Sequence, residues 1–188
     1  ACEGESITLS GSGTAVTYAW DNGISDGVAF SAGSTTTYTV TGTDNAGCQA
    51  TDQITVTVNP LPDVDTGTDI SICVGEDTSL TATGTADTYT WDNGVSDGVS
   101  FTPSLGTTTY TLTGVNTTTG CTNTDVVEIT VNDLPTVIAG LDTTICEGSS
   151  ISLTGSGTAD NYTWDNGVSN GVSFTPVAGS ITYTVTGT

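Results

Sequence analysis

Polar and apolar residues alternate with a period of two along several stretches of the chain. The clearest runs from Thr107 to Val115, where Tyr110 and Leu112 fall on the same face. Such alternation is typical of antiparallel strands with one buried and one solvated face. No stretch shows the 3.6-residue period of an amphipathic helix, so the chain is predicted to be all-β. In the middle third, the same pattern predicts further strands at 69–72, 78–83, 88–91, 99–102 and 125–131.

The pattern occurs three times. Trp20, Trp91 and Trp164 are spaced 71 and 73 residues apart, and three cysteines (Cys2, Cys73 and Cys146) share that spacing. Each tryptophan is followed by Asp-Asn-Gly, and a Tyr-Thr-Val or Tyr-Thr-Leu step comes later in each copy. A repeat of about 72 residues follows. We therefore expect three domains: repeat 1 (1–60, lacking its first strand), repeat 2 (61–133, complete) and repeat 3 (134–188, lacking its last strand).

Six or seven short strands with turn signals every 8 to 12 residues predict a β-sandwich in each repeat. The junctions are short and contain proline, which favours a stiff rod of domains over flexible beads. The inward residues predicted for repeat 2 are Leu80, Tyr89, Trp91, Phe101, Tyr110, Leu112, Val127 and Ile129. Across the three repeats, the core aromatic residues are expected to be Trp20, Trp91, Trp164, Tyr38, Tyr110 and Tyr183.

A core this small is marginal, which gives the cysteines a structural role. A disulfide closing a loop of roughly 48 residues stabilises by about 4 kcal/mol on the chain-entropy estimate. We therefore expect the bonds Cys2–Cys48 and Cys73–Cys121. Cys146 is expected to be unpaired, because its partner would fall beyond residue 188. Disulfides also indicate an oxidising compartment outside the cytosol.

The charge narrows the candidate functions. The chain has 21 acidic residues and no Lys, Arg or His, for a formal net charge of −21. Without cationic side chains there is no electrostatic footprint for nucleic acid, and no histidine is available as a general base. No apolar run is long enough to span a membrane as a helix. We expect no catalytic residues, no nucleic-acid partner and no membrane insertion.

The Asp-Asn-Gly-x-Ser-Asp-Gly segments allow two interpretations. Asn-Gly and Asp-Gly are favoured tight-turn pairs, while closely spaced carboxylates are typical Ca²⁺ ligands. The turn is the reading that the residues favour, since Asn170 stands in the third copy where the others have aspartate. Calcium is the one cofactor left open. Its candidate ligands are Asp21, Asp26, Asp92 and Asp97 in the segments, and Asp63, Asp65 and Asp69 at a junction.

The motifs together resemble a known repeat class. The pattern runs Cys-x-Gly-x-x-x-x-Leu, then Tyr-x-Trp-Asp-Asn-Gly-x-Ser-Asp-Gly-Val-x-Phe, then Thr-x-Tyr-Thr-Val-Thr-Gly and Gly-Cys. It is similar to the Ig-like/PKD-like tandem repeats of giant secreted surface proteins of Bacteroidota, such as the SprB-type gliding-motility adhesins. The resemblance implies tandem Ig-like sandwiches, type IX secretion and outer-membrane anchoring through regions outside this segment. It also marks Thr143, in Asp142-Thr143-Thr144, as a candidate O-glycosylation site.

These features predict a structural stalk segment of a very large adhesin that acts in gliding motility or surface adhesion. Its expected partners are neighbouring repeats of the same long chain, with gliding and secretion machinery bound through other regions. Two alternatives stay open: a glycan- or partner-binding repeat module, and an accessory domain of a secreted hydrolase.

Overall fold

The computed structural model describes residues 1–188 and contains seventeen β-strands and no helix. None of its elements is therefore a helix that could cross a membrane. The chain divides into two compact units, residues 1–131 and 132–188. The first unit holds repeats 1 and 2 together. The three-domain division at residues 60 and 133 stays a prediction.

Repeat 1 is built from five strands. The strand pair β1–β3 is antiparallel, and a second sheet has the order β2-β4-β5. Thr36 of β4 lies opposite Val56 of β5, and at the other end of the hairpin Thr43 lies opposite Gln49. The five strands are β1 (Ser6–Thr8), β2 (Thr17–Trp20), β3 (Ala29–Ser31), β4 (Thr36–Thr43) and β5 (Gln49–Val56).

Repeat 2 adds an opening strand and a larger sheet. Its four-stranded sheet has the order β7-β11-β10-β9, and β6 pairs separately with β8. Outside these two sheets, an isolated antiparallel bridge joins Thr78 to Phe101. The strands are β6 (Val64–Asp65), β7 (Ile70–Cys73), β8 (Thr83–Gly84), β9 (Thr88–Trp91), β10 (Gly106–Val115) and β11 (Thr122–Asn132).

The second compact unit repeats the plan in shorter strands. Antiparallel pairs join β12 to β14, β13 to β16 and β15 to β17. The strands are β12 (Val137–Ile138), β13 (Ile151–Ser152), β14 (Ser156–Gly157), β15 (Tyr162–Trp164), β16 (Ser173–Phe174) and β17 (Val185–Gly187).

The core of repeat 2 lies between the two layers of its sandwich. Alternate residues of the β10–β11 hairpin point inward, because side chains on a strand alternate between its faces. Tyr110 lies opposite Val127, and Leu112 is fully buried against Trp91 of β9. The buried cluster comprises Leu80, Trp91, Tyr110, Leu112, Val127, Ile129 and Val131, with Tyr89 and Phe101 partly buried beside it. The chain is thus an all-β protein of antiparallel sandwiches, as the alternation predicts.

In each repeat, a tyrosine ring packs against the ring of a phenylalanine that stands eight or nine residues earlier in the sequence. The ring centroids of Phe101 and Tyr110 are 5.5 Å apart, within the range of favourable aromatic pairs. Burial raises the pKa of Tyr110, and the nearby Asp92 carboxylate adds to the effect. Phe30–Tyr38 and Phe174–Tyr183 form the equivalent pairs. Tyr38, Tyr110, Trp91 and Trp164 are buried, whereas Trp20 and Tyr183 are half-buried.

The Asp-Asn-Gly segments form tight turns. Asn22, Asn93 and Asn166 have φ near +54°, and the following glycines are also at positive φ. Asparagine and glycine enter this left-handed region at lower cost than other residues. The turn that ends β2, β9 and β15 therefore has the same sequence requirement in all three repeats.

Candidate functional site

The junction between repeats 1 and 2 begins with a short turn around Cys2. The Glu5 N–H donates to the Cys2 carbonyl at 3.0 Å, and the Cys2 N–H donates to the Glu5 carboxylate at 2.8 Å. Cys73 and Glu76 make the same two bonds in repeat 2, at 3.1 and 2.8 Å. The sequence Cys-x-Gly-Glu thus builds a self-contained turn that presents one thiol, and we call it the opening turn.

The opening turn of repeat 1 lies against the end of that repeat. Cys2 forms a parallel bridge with Asn59. The Glu3 N–H donates to the Asn59 carbonyl, and the Asn59 N–H donates to the Ala1 carbonyl, both at 2.9 Å. Three residues after the end of β5, the chain is therefore held beside Cys2, immediately before it enters repeat 2.

The other half of the junction is the turn that joins β10 to β11, which we call the hairpin turn. Asn116 closes it. Its N–H donates to the Cys121 carbonyl at 2.8 Å, and its side-chain oxygen accepts from the N–H groups of Thr118 and Thr119. Cys121 is fully buried. The side chain of Asn123, two residues further on, donates to the Pro62 carbonyl at 3.0 Å, which ties the hairpin to the linker.

A disulfide joins the two halves across the junction. Cys2 is bonded to Cys121, 119 residues later in the sequence, with their Cα atoms 5.6 Å apart. Cys121 Sγ also lies 4.0 Å from the Asn59 carbonyl oxygen, so the bond sits directly beside the linker. It is a clasp between consecutive repeats, and the clasp lies within the first compact unit.

The predicted pairings Cys2–Cys48 and Cys73–Cys121 are therefore wrong for this structure. The reason is the length of the hairpin strands. Cys2 is level with Asn59, whereas Cys48 precedes Gln49 at the opposite end of β5. At about 3.3 Å per residue, that separates the two cysteines by roughly 30 Å.

The same obstacle applies in repeat 2. Cys73 ends β7, whose preceding residue Asp69 accepts a hydrogen bond from the Glu128 N–H. In repeat 1 the equivalent cysteine, Cys2, pairs with Asn59, and the matching residue of repeat 2 is Asn132, at the end of β11 remote from Cys121. The two halves of a disulfide need Cα atoms within about 7 Å, so neither intra-repeat bond can form without moving the strands.

Three thiols are free and exposed: Cys48, Cys73 and Cys146. Each of them lies in one of the two kinds of turn, opening turn or hairpin turn, that the Cys2–Cys121 disulfide joins. Cys48 occupies the hairpin turn of repeat 1, where Asp44 closes the turn as Asn116 does in repeat 2. Cys73 and Cys146 occupy opening turns, and the Ser149 N–H donates to the Cys146 carbonyl as Glu5 does to Cys2.

The second group of candidate residues stands six positions after each tryptophan, an aspartate in repeats 1 and 2 and an asparagine in repeat 3. Asp26 Oδ1 accepts from Trp20 Nε1 at 2.9 Å and from the Gly11 N–H at 2.6 Å. These bonds hold the pKa of Asp26 below its usual range, the Gly11 N–H contributing most and Trp20 next. In repeat 2, Asp97 accepts from Trp91 and from the Ala82 N–H.

Asn170 makes the same two bonds in repeat 3, accepting from Trp164 Nε1 at 3.0 Å and from the Gly155 N–H at 2.7 Å. A neutral amide oxygen thus replaces the carboxylate without changing the contacts. The position requires a hydrogen-bond acceptor that can reach a tryptophan and a backbone N–H. It does not require a negative charge.

The remaining aspartates of the predicted calcium sites also bond to backbone amides. Asp21 accepts from the Thr39 N–H and Asp92 from the Thr111 N–H, both at 2.9 Å. At the junction, Asp65 accepts from the Gly67 N–H and Asp69 from the Glu128 N–H, while Asp63 takes part through its backbone. No three acidic or cysteine side chains form a group that could hold a metal ion. Calcium binding at these aspartates stays a prediction.

Thr66 and Asp125 form a contact that the sequence pattern did not single out. The N–H and the hydroxyl of Thr66 both donate to Asp125 Oδ2, at 2.9 and 2.8 Å. These bonds lower the pKa of Asp125, the backbone N–H contributing most. Thr66 is the one buried polar residue, at 6% exposure. The sequence does contain one indication of this contact: Asp52 occupies in repeat 1 the position that Asp125 occupies in repeat 2.

Thr143 lies in an exposed stretch without strand structure, and its glycosylation stays a prediction.

No family model matches the chain. No curated protein matches it either. Solved structures of tandem domains do. Against the N-terminal eight Ig domains of Down Syndrome Cell Adhesion Molecule, the identity is 16%, the TM-score is 0.43, and the match covers 86% of this chain. Against the Ig domains 1–4 of Sidekick-1, the corresponding values are 13%, 0.35 and 87%. The chain spans 31% and 58% of those two chains.

A third match is to extracellular domains 3–5 of Drosophila OTK, at 13% identity and a TM-score of 0.35, covering 70% of this chain and 52% of that one.

Proposed function

We propose that this chain is a load-bearing spacer in a cell-surface protein, in which Ig-like repeats are joined covalently across their junctions. The observation that carries the proposal is the Cys2–Cys121 disulfide. A bond within one repeat would stabilise only that repeat. A bond between repeats also gives the molecule a second covalent connection beside the linker.

The disulfide changes how the chain transmits tension. When the two ends are pulled, the force passes from Cys2 directly to Cys121 and bypasses the residues between them. Those residues include all of β1 to β10. They remain folded at forces that would otherwise extend them, because the covalent path carries the load. A spacer that must keep its length under tension needs this property.

We place the spacer in a giant surface adhesin of the kind found in Bacteroidota, with gliding motility or surface adhesion as its setting. The repeat motifs support this assignment, together with a disulfide that suits an extracellular compartment. Export by type IX secretion and outer-membrane anchoring belong to the same proposal and involve regions outside residues 1–188. The net charge of −21 would keep neighbouring stalks apart.

Single-molecule pulling between handles at the two ends tests the proposal. In the oxidised chain, the residues between Cys2 and Cys121 do not extend. Reduction should therefore add roughly 400 Å of contour length at 3.3–3.6 Å per residue, since 119 positions separate the two cysteines. Cys121→Ser should extend to the reduced length without reductant. Cys48→Ser is the matched control and should behave like the unaltered oxidised chain.

An unchanged contour length on reduction would contradict the load path. The alternative function, a glycan-binding repeat module, is tested separately with the isolated chain on a glycan array. Specific and saturable binding there would contradict the assignment of an inert spacer, whereas the proposal predicts none.

A further inference from the structure

The two cysteines of the clasp differ in their access to solvent. Cys121 is fully buried, whereas Cys2 is half-buried. Cys73 occupies the same opening turn in repeat 2, where it is the last residue of the complete strand β7, and it is exposed. An opening turn therefore leaves its cysteine open to solvent even where a whole strand precedes it. The clasp has one accessible and one inaccessible end.

The burial of Cys121 comes from the junction and not from the hairpin turn itself. Cys48 occupies the same turn in repeat 1, where its N–H donates to Asp44 Oδ1 at 2.9 Å, and it is exposed. Cys121 differs because the linker runs past it, with the Asn59 carbonyl oxygen 4.0 Å from its Sγ. The linker and the opening turn together cover a sulfur that the hairpin turn alone leaves open.

Access decides which of the two sulfurs a small thiol can attack. In thiol–disulfide exchange, a thiolate bonds to one sulfur and displaces the other, and the rate depends on how open the attacked sulfur is. A thiolate could reach Cys121 only by displacing the packed linker, whereas Cys2 is partly open to solvent. Exchange therefore runs in one direction, with Cys2 attacked and Cys121 leaving.

We propose that Cys2 is a site of reversible S-thiolation by a low-molecular-weight thiol, and that Cys121 is the buried sulfur that reverses it. The thiolate forms a bond to Cys2 Sγ while the bond between the two cysteines breaks. The electron pair leaves with Cys121 Sγ, which takes a proton from water. The small thiol becomes one half of a mixed disulfide as Cys121 is reduced, so the exchange needs no further oxidant or reductant.

Contacts that contain no sulfur keep the two cysteines together after the bond opens. Asn59 holds the opening turn through two backbone bonds of 2.9 Å. The side chain of Asn123 holds the linker to the hairpin turn through the Pro62 carbonyl at 3.0 Å. The reverse step, in which Cys121 attacks Cys2 and releases the small thiol, is therefore intramolecular and benefits from a high effective concentration.

In the spacer proposed above, S-thiolation of Cys2 opens the covalent load path, and this consequence alone rests on the proposed function. Residues between the two cysteines then carry tension until the reverse step closes the clasp again. The direction of exchange rests only on the pairing and on the unequal burial of its two ends.

The test uses two single variants of the whole chain, with oxidised glutathione as the probe and peptide mapping by mass spectrometry as the readout. In Cys121→Ser the resolving sulfur is absent, so Cys2 should accumulate as a stable mixed disulfide. In Cys2→Ser, Cys121 should acquire glutathione about tenfold or more slowly than Cys48 of the same molecule, because only transient opening of the junction exposes it. Cys48 is the internal standard for an exposed thiol in the same turn.

The unaltered chain provides a second measurement that needs no substitution. After reduction with dithiothreitol without denaturant, iodoacetamide should alkylate Cys121 about tenfold or more slowly than Cys2, and denaturant should abolish the difference. Equal alkylation of the two in the folded chain would overturn the proposal. So would glutathione on Cys121 of Cys2→Ser at the rate of Cys48. Neither measurement applies load, so failure here is distinct from an unchanged contour length in the pulling experiment.

Discussion

At the scale of single residues, each repeat pairs its tryptophan with an acceptor six positions later. Trp91 and Trp164 are buried, so their indole N–H groups need a partner inside the fold. Asp97 and Asn170 supply it with the same geometry. The presence of Asp97 is therefore explained by the hydrogen bond that its side-chain oxygen accepts, and not by its negative charge.

This equivalence predicts the effect of two substitutions at Asp97. Asp97→Asn should leave the stability of residues 1–131 within about 0.5 kcal/mol of the original, because the amide oxygen accepts the same bonds. Asp97→Ala should lower it by about 1–3 kcal/mol, since the buried indole N–H loses its acceptor. Denaturant unfolding followed by tryptophan fluorescence measures both. Asn170→Asp is the control in repeat 3, and a loss there as large as that of Asp97→Ala would contradict the equivalence.

Asp125 predicts a specific sensitivity to acid. Its pKa is lowered in the folded state by the Thr66 donors. Its contribution to stability is therefore fully present above the unfolded pKa of about 3.9 and is lost as the pH falls through the lower, folded value. Asp125→Asn removes this contribution. The stability difference between the two proteins should shrink below about pH 4 in thermal unfolding from pH 7 to pH 2. A difference independent of pH would count against the role of the carboxylate.

At the scale of strands and turns, the alternation of residues determines the sheet that carries the core. The predicted run Thr107–Val115 appears as β10 (Gly106–Val115), and 88–91 is β9. The runs 78–83 and 99–102 predicted two full strands, but the structure has a bridge between Thr78 and Phe101 and the short β8. In this outer layer the Gly98 N–H donates to the Leu80 carbonyl, one residue out of register with the Thr78–Phe101 bridge, so the two segments form no continuous ladder.

The glycine within β10 predicts a packing penalty. Gly114→Ala should destabilise residues 1–131 by about 1–3 kcal/mol, because the added methyl group meets Val64 and Ala86. Gly33→Ala is the matched control, since its added methyl group meets nothing within 4 Å and its φ is not positive. Chemical denaturation of both variants measures the difference. Equal stability of the two would show that β6 does not pack against β10 as described.

The disulfide partners could not be read from the pattern of one repeat. The sequence pattern predicted pairs within a repeat because a disulfide in each small domain would stabilise its marginal core. Whether two cysteines can bond depends instead on which end of β5 or β11 each of them lies beside. Cys2 lies level with Asn59 through a parallel bridge, a contact that alternation does not encode.

At the scale of the whole molecule, the clasp makes the stability of repeats 1 and 2 interdependent. A disulfide that closes so long a loop stabilises by about 2–5 kcal/mol. The double variant Cys2→Ser/Cys121→Ser should therefore lower the free energy of unfolding of residues 1–131 by that amount. Cys48→Ser/Cys73→Ser serves as the matched pair and should have little effect, because both thiols are free and exposed. Denaturant titrations without reductant compare them.

The reverse ranking, with the Cys48 and Cys73 pair more damaging, would show that each repeat closes its own disulfide.

Disulfide mapping of the oxidised chain distinguishes a bond between repeats from bonds within each repeat. The non-reduced protein is alkylated in denaturant, digested and analysed by mass spectrometry. We expect one linked peptide pair, Cys2 with Cys121, and alkylation of Cys48, Cys73 and Cys146. Linked pairs of Cys2 with Cys48 and of Cys73 with Cys121, with Cys146 alone alkylated, would contradict it.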